Sequence, residues 1–178
     1  MIEQLAQPMA CDGCRAELFG EQHRESLRAA CAEDRDIWAI YANNFGPDGF
    51  DDSIALYRSS PRNRTFVLFE GHELAGMSSY LTIDESRQCL EIGGTYYRPN
   101  LRGSGFNRRI KDMMLQRAFD SGIRRIEFRV DVRNARSQAA MKKLGAVREG
   151  VLRADRITWN GHVRDTALFS ILKDEWPV

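Results

Sequence analysis

From Arg125 to Val132 apolar and charged residues alternate without a break, with Ile126, Phe128, Val130 and Val132 set against Arg125, Glu127, Arg129 and Asp131. A period of two predicts a strand with one face on a core and the other in polar surroundings. Upstream, Phe106, Ile110, Met113, Met114, Ala118 and Phe119 recur at helical spacing with Arg108, Lys111, Asp112 and Gln116 between them, which predicts a core-facing helix. Downstream, residues 134–144 read as a shorter helix that Asn134 can cap and Gly145 can end in the left-handed conformation. Before this middle, residues 65–69 and 74–83 form a predicted hairpin around Gly71-His72. A further strand over 90–97 stops at Arg98-Pro99-Asn100. Its paired glycines, Gly93 and Gly94, predict a bulge or a close backbone approach. After the middle, residues 147–159 and 163–172 flank Asn160-Gly161, a strong hairpin signal. Nearer the start, residues 14–19 read as a first strand and 21–31 as a short amphipathic helix. Residues 34–64 mix aromatics with turn formers, as short helices in a substrate-facing segment or a lid would.

Strands and helices alternate only in the middle, between a hairpin on each side. The predicted class is therefore α/β (α+β), with a mixed, mostly antiparallel sheet of about seven strands and about four helices. At 178 residues, 43% apolar and 29% charged, the chain suits one core, with 1–13 as an N-terminal tail and 14–178 as a single domain. The net charge of +1, with acids and bases interspersed, argues against a nucleic-acid or acidic-membrane partner, so any anion site is local. The opening residues lack the basic and apolar regions of a secretory signal, and nowhere do about eighteen apolar residues run together. Four cysteines, at 11, 14, 31 and 89, do not make a disulfide framework, and a reducing cytoplasm is the expected location. The lone Cys11-Asp12-Gly13-Cys14 has no second pair or histidine partner, and His23, His72 and His162 lack ligand spacing, so no metal is assigned.

The chemistry gathers where strand 90–97 leads into the helix at 106. The loop Arg102-Gly103-Ser104-Gly105-Phe106-Asn107 sets free backbone amides at a helix N-terminus, a place suited to phosphate. A dinucleotide fingerprint would need a third glycine at 108, which is arginine, and a Walker A loop would need a Gly-Lys-Ser/Thr ending that is absent. A pyrophosphate cradle and a tight strand-to-helix turn that uses glycine for geometry both remain open.

Asn100-Leu101-Arg102-Gly103-Ser104-Gly105 resembles the pyrophosphate loop of the GNAT acetyltransferase superfamily, with asparagine where its Gln/Arg usually stands. The segments at 90–95, 133–137, 143–146, 149–153 and 164–166, and the closing Ile171-Leu172-Lys173-Asp174-Glu175-Trp176-Pro177, resemble the branch of ribosomal-protein N-terminal (alanine/serine) acetyltransferases. The resemblance implies a fold in which strand 90–97 splays from strand 124–132 at the cofactor site. Acetyl-coenzyme A would be the cosubstrate, with its pantetheine arm bonded along Thr95, Tyr96 and Tyr97 and its pyrophosphate on residues 102–107.

It further implies acetyl transfer to a primary amine, a protein N-terminus or a small molecule, by direct attack. Glu91 matches the position of a general base, with solvent as the alternative. A backbone N–H near Tyr96 would hold the oxyanion, and Ser137 would protonate the leaving sulfur. Asn134 would bond the pantetheine, although capping alone also accounts for Asn134 and Ser137. Arg156 stands at or near the place of a carboxylate that some relatives use as base, and Phe169 where relatives often have tyrosine. An acyl-coenzyme A sensor without turnover is accordingly the alternative function. Family members are monomers or dimers, and a homodimer is the expectation here.

Overall fold

The computed structural model describes residues 1–176, so Pro177, with which the resemblance ends, and Val178, with which the expected domain ends, lie outside the described residues. In chain order the elements are α1 (Ile2–Leu5), β1 (Met9–Cys11), β2 (Cys14–Leu18), α2 (Arg24–Cys31), α3 (Phe50–Ser59), β3 (Arg64–Glu70), β4 (Glu73–Asp84), β5 (Cys89–Tyr97), α4 (Phe106–Asp120), β6 (Arg125–Asp131), α5 (Ala135–Leu144), β7 (Val147–Ile157) and β8 (Val163–Leu172). One eight-stranded sheet runs β1-β2-β3-β4-β5-β6-β8-β7, and every pairing is antiparallel except β5 with β6. That parallel pair is joined through α4, as a crossover between parallel strands requires.

The expectation of about seven strands and four helices falls one short of each, and both additions lie in residues 1–13. Asp12 and Gly13, at φ 40° and 78°, make a two-residue turn that pairs Cys11 with Cys14, so the CxxC is the tip of a hairpin. Burial pushes both thiols up, Cys14 to about 12 with the help of its bond to Glu70, so they stay protonated.

Two cores lie on opposite faces of the sheet. On one face α4 buries Phe106, Ile110, Met114, Ala118 and Phe119 against Leu90 and Ile92 of β5 and Ile126, Phe128 and Val130 of β6. Each large side chain so buried contributes about 1.5–3 kcal/mol. On the other face Trp38, Phe45, Phe50 and Ile54 pack against Val67, Met77 and Tyr96. By alternation, Glu127, Arg129 and Asp131 of β6 face away from α4.

Two departures from regular pairing position the site. Opposite the single residue Ser78 of β4, β5 places both Gly94 and Thr95, a bulge that the two glycines foretold. Past Glu91 and Glu127, β5 and β6 no longer pair, and a gap opens between their C-terminal halves. Above the second face, the tip of the β7–β8 hairpin reaches across to the short helix Asp36–Ile40. The Trp159 indole donates to Trp38 O at 2.8 Å, its amide donates to Ala42 O at 3.1 Å, and Asn160 Nδ2 donates to Ala39 O at 3.4 Å.

Candidate active site

The gap between β5 and β6 opens into a cavity of about 630 Å³ that runs from the α4 N-terminus to Ile40, Tyr41 and Ala42, the segment gripped by the β7–β8 hairpin tip. At its α4 end, Gly103 and Gly105 take left-handed conformations, φ 83° and 86°, with nothing within 4 Å of where a Cβ would stand. Glycine is needed there for the backbone's direction rather than for room. The amides of Gly103, Gly105 and Asn107 find no acceptor among the described residues, whereas those of Ser104, Phe106 and Arg108 are bonded locally. Three unpaired amides at the start of a fifteen-residue helix, with Arg108, Arg136 and Lys143 lining the same cavity, make a cradle of donors whose chemistry suits an anionic group.

Gly103, Gly105, Asn107, Arg102, Thr95, Tyr97, Asn134, Ser137 and Glu91 all line this one cavity, although they are drawn from three stretches of chain. Ser104, Phe106 and Tyr96 do not. The Ser104 hydroxyl turns back to Leu101 O, and Phe106 is a core residue whose ring meets that of Tyr97 edge-on. The bulge rotates Tyr96 to the opposite face, where its hydroxyl donates to Ala30 O at 2.8 Å. Arg102 lines the wall with its guanidinium spent on Tyr97 O and Asp34.

The cleft side of the bulge is held by bonds that periodicity did not reveal. Tyr41 donates to Thr95 O at 2.6 Å, and Lys111 Nζ donates to Thr95 Oγ1 at 2.7 Å and to Ser78 Oγ at 3.3 Å. Among the described residues Lys111 is buried without a carboxylate partner, and desolvation alone lowers it to about 7. The Tyr97 hydroxyl is buried with no partner among the described residues, an orphan that a ligand in the cleft would satisfy.

Asn134 caps α5 by accepting the Ser137 amide hydrogen at 3.0 Å, which leaves the Ser137 hydroxyl unbonded and facing the cavity. Across the gap Glu91 is buried, with Arg129 Nε 3.7 Å from Oε2 and no hydrogen bond to its carboxylate. Burial raises its pKa, opposed by the charges of Arg156, Arg129 and Arg164. A Cβ at Gly93 would come within 2.6 Å of Glu91 Oε1, so glycine leaves the carboxyl room.

A split sheet with a helix N-terminus on one side and a burial-raised carboxylate on the other is the decisive arrangement, and residues 31–146 match the sequence model of the acetyltransferase (GNAT) family. The chain belongs to the GNAT acetyltransferase family. No curated protein matches it. Among solved structures it is similar to one from Chromobacterium violaceum assigned to GNAT-family acetyltransferases, at 27% identity and TM-score 0.88, covering 96% of this chain and 88% of that one. Two further likenesses concern the fold. The ribosomal-protein-S5-alanine acetyltransferase of Vibrio fischeri shares 20% identity at TM-score 0.76, covering 97% of this chain and 100% of that one. The spermidine N-acetyltransferase of Vibrio cholerae, solved with coenzyme A and spermine, shares 20% at 0.76 and covers 92% and 97%. As a GNAT acetyltransferase the chain is expected to use acetyl-coenzyme A, and the amide cradle, the basic wall and the orphaned Tyr97 hydroxyl fit that molecule. Among the described residues no cluster of three or more metal-ligating side chains occurs, and no helix is long and apolar enough to cross a membrane.

Proposed function

We propose that this GNAT protein acetylates the nitrogen of a primary amine, on a protein N-terminus or a small molecule, by direct attack on acetyl-coenzyme A. One observation carries this reading: the gap past Glu91 joins three unpaired amides on one side of the sheet to an unbonded, buried carboxylate on the other. Bound there, acetyl-coenzyme A would supply the acetyl group as a thioester. Gly103, Gly105 and Asn107 hold the pyrophosphate through their N–H groups. Glu91 removes a proton from the acceptor's ammonium, since a carboxylate whose pKa is raised toward neutrality is the better base. The freed nitrogen lone pair forms the new C–N bond, the C–S bond breaks, and the departing sulfur takes the Ser137 hydroxyl proton, which solvent replaces.

Two companion readings belong with this one. Val147, Val151, Leu152 and Ile157 are exposed along the free edge strand β7, which supports a homodimer. The four free thiols support a reducing, cytoplasmic setting.

The test is thiol release from acetyl-coenzyme A across a panel of peptides and small amines. Turnover that disappears in Gly103→Glu, which sets a carboxylate in the phosphate cradle, is the expected result. Calorimetric binding of acetyl-coenzyme A without thiol release on any amine overturns the proposal in favour of a sensor.

A further inference from the structure

On the face of the sheet away from α4, Arg156 of β7 and Arg164 of β8 stand directly opposite each other in the register. Like charges so placed repel, and a folded protein keeps such a pair only where something offsets it. Arg164 is 4% exposed, and among the described residues no carboxylate comes within ion-pairing distance of it. Buried arginines are normally paired, so this one is unusual.

Its bonds show where it points. Nε donates to Thr166 Oγ1 at 3.1 Å and Nη2 to Arg129 O at 2.9 Å. Val132 bonds β8 through its amide, so the carbonyl of Arg129, three residues earlier and of opposite parity, faces the gap instead. The Arg164 guanidinium therefore reaches over β6 to the gap, and its Nη1 has no partner among the described residues. Arg156 adds a second half-used guanidinium: Nε donates to Asp155 Oδ2 at 3.1 Å, and neither Nη is bonded. Both residues line the cavity that holds Glu91, and Glu91 feels both charges. The carboxylates near them are already engaged: Asp155 by Thr166, Arg156 and Arg129, and Asp131 by Arg133.

We propose that Arg156 and Arg164 form a carboxylate subsite, and that the acceptor is a small amino carboxylate whose amine lies toward Glu91 and whose carboxylate docks on the two guanidiniums. The assignment rests on the acetyl transfer proposed above and narrows its acceptor. Planar guanidiniums with free N–H edges match the two oxygens of a carboxylate. Trp159 and Asn160 tie down residues 38–42, of which Ile40, Tyr41 and Ala42 line the cavity, so this wall is held in place.

The test compares free amino acids and longer amino carboxylates with their carboxamides, with spermidine, with phosphoethanolamine and with peptides, in wild type, Arg156→Gln and Arg164→Lys. The carboxylates are expected to exceed their carboxamides by at least about tenfold in kcat/KM, and Arg156→Gln to abolish most of that ratio through KM. A second readout needs no turnover. With coenzyme A present, the amino carboxylates should raise the melting temperature of wild type and not that of Arg156→Gln, a half-exposed position whose loss leaves the core intact.

Preference for spermidine, phosphoethanolamine, carboxamides or peptides overturns the carboxylate assignment and leaves acetyl transfer standing. No thiol release on any amine, with the melting shift still present and lost in Arg156→Gln, overturns the transfer and supports the subsite. No shift and no carboxylate preference overturns the subsite.

Discussion

Gly94 lies against Tyr57 so closely that a Cβ on the glycine would stand 2.6 Å from the ring's Cε1. At φ 57° the residue also holds a left-handed conformation that side chains resist. Tyr57, from α3, thus closes over the bulge that opens the cleft. Gly94→Ala should lower stability by about 1–2 kcal/mol and reduce kcat/KM more than the melting shift accounts for, because relief requires moving Tyr57 or undoing the bulge. Chemical denaturation beside steady-state kinetics would check it.

Asn134 and Ser137 can be separated because the cap uses the serine's backbone and not its hydroxyl. Asn134→Ala should cost about 1 kcal/mol of stability. Ser137→Ala should leave stability within about 0.5 kcal/mol and lower kcat, with the deficit shrinking when an acyl donor with a more acidic thiol is supplied. Equal loss of stability in both variants would reduce Ser137 to a helix-end residue.

Glu91 gives the pH dependence its sign. Burial raises its pKa, so the base form is lost on the way down from neutrality at a higher pH than an ordinary glutamate would set. The acid limb of kcat/KM should therefore lie above the usual carboxylate range, and Glu91→Gln should remove that limb while lowering the plateau by about 10²–10⁴-fold. A profile unchanged by the substitution would assign proton removal to solvent.

Lys111 predicts an opposite, purely thermodynamic effect. Its folded pKa of about 7 lies below that of the unfolded chain, so between these values the unfolded state holds more protons and stability rises with pH. The slope from this group approaches about 1.4 kcal/mol per pH unit over that interval. Lys111→Met should flatten the rise seen in urea melts from pH 7 to 9 and free the Thr95 hydroxyl that Lys111 now holds.

Much of the site could be read beforehand because it depends on local constraints. Gly93-Gly94 announced the bulge, Gly103 and Gly105 the cradle, and Asn134 the cap, since each answers to backbone geometry within a few residues. Arg156 stands out in the sequence only as a departure from a carboxylate position and Arg164 only as part of a resembling segment, and it takes the register to show the two opposed. Lys111 looked like a spacer between core positions, yet its spacing to Met114, Leu115 and Ala118 places it on the buried stripe. The strand at 9–11 was too short to show a period, although Asp12-Gly13 is itself a hairpin signal. The Trp159 strap joins residues more than a hundred positions apart and leaves no trace in any local pattern.

The alternation along β6 makes the sheet a partition with a single slit. Whatever rests on the helix N-terminus lies behind it and whatever meets the arginines lies in front, so in the proposed reaction the two reactants meet through the slit from opposite faces.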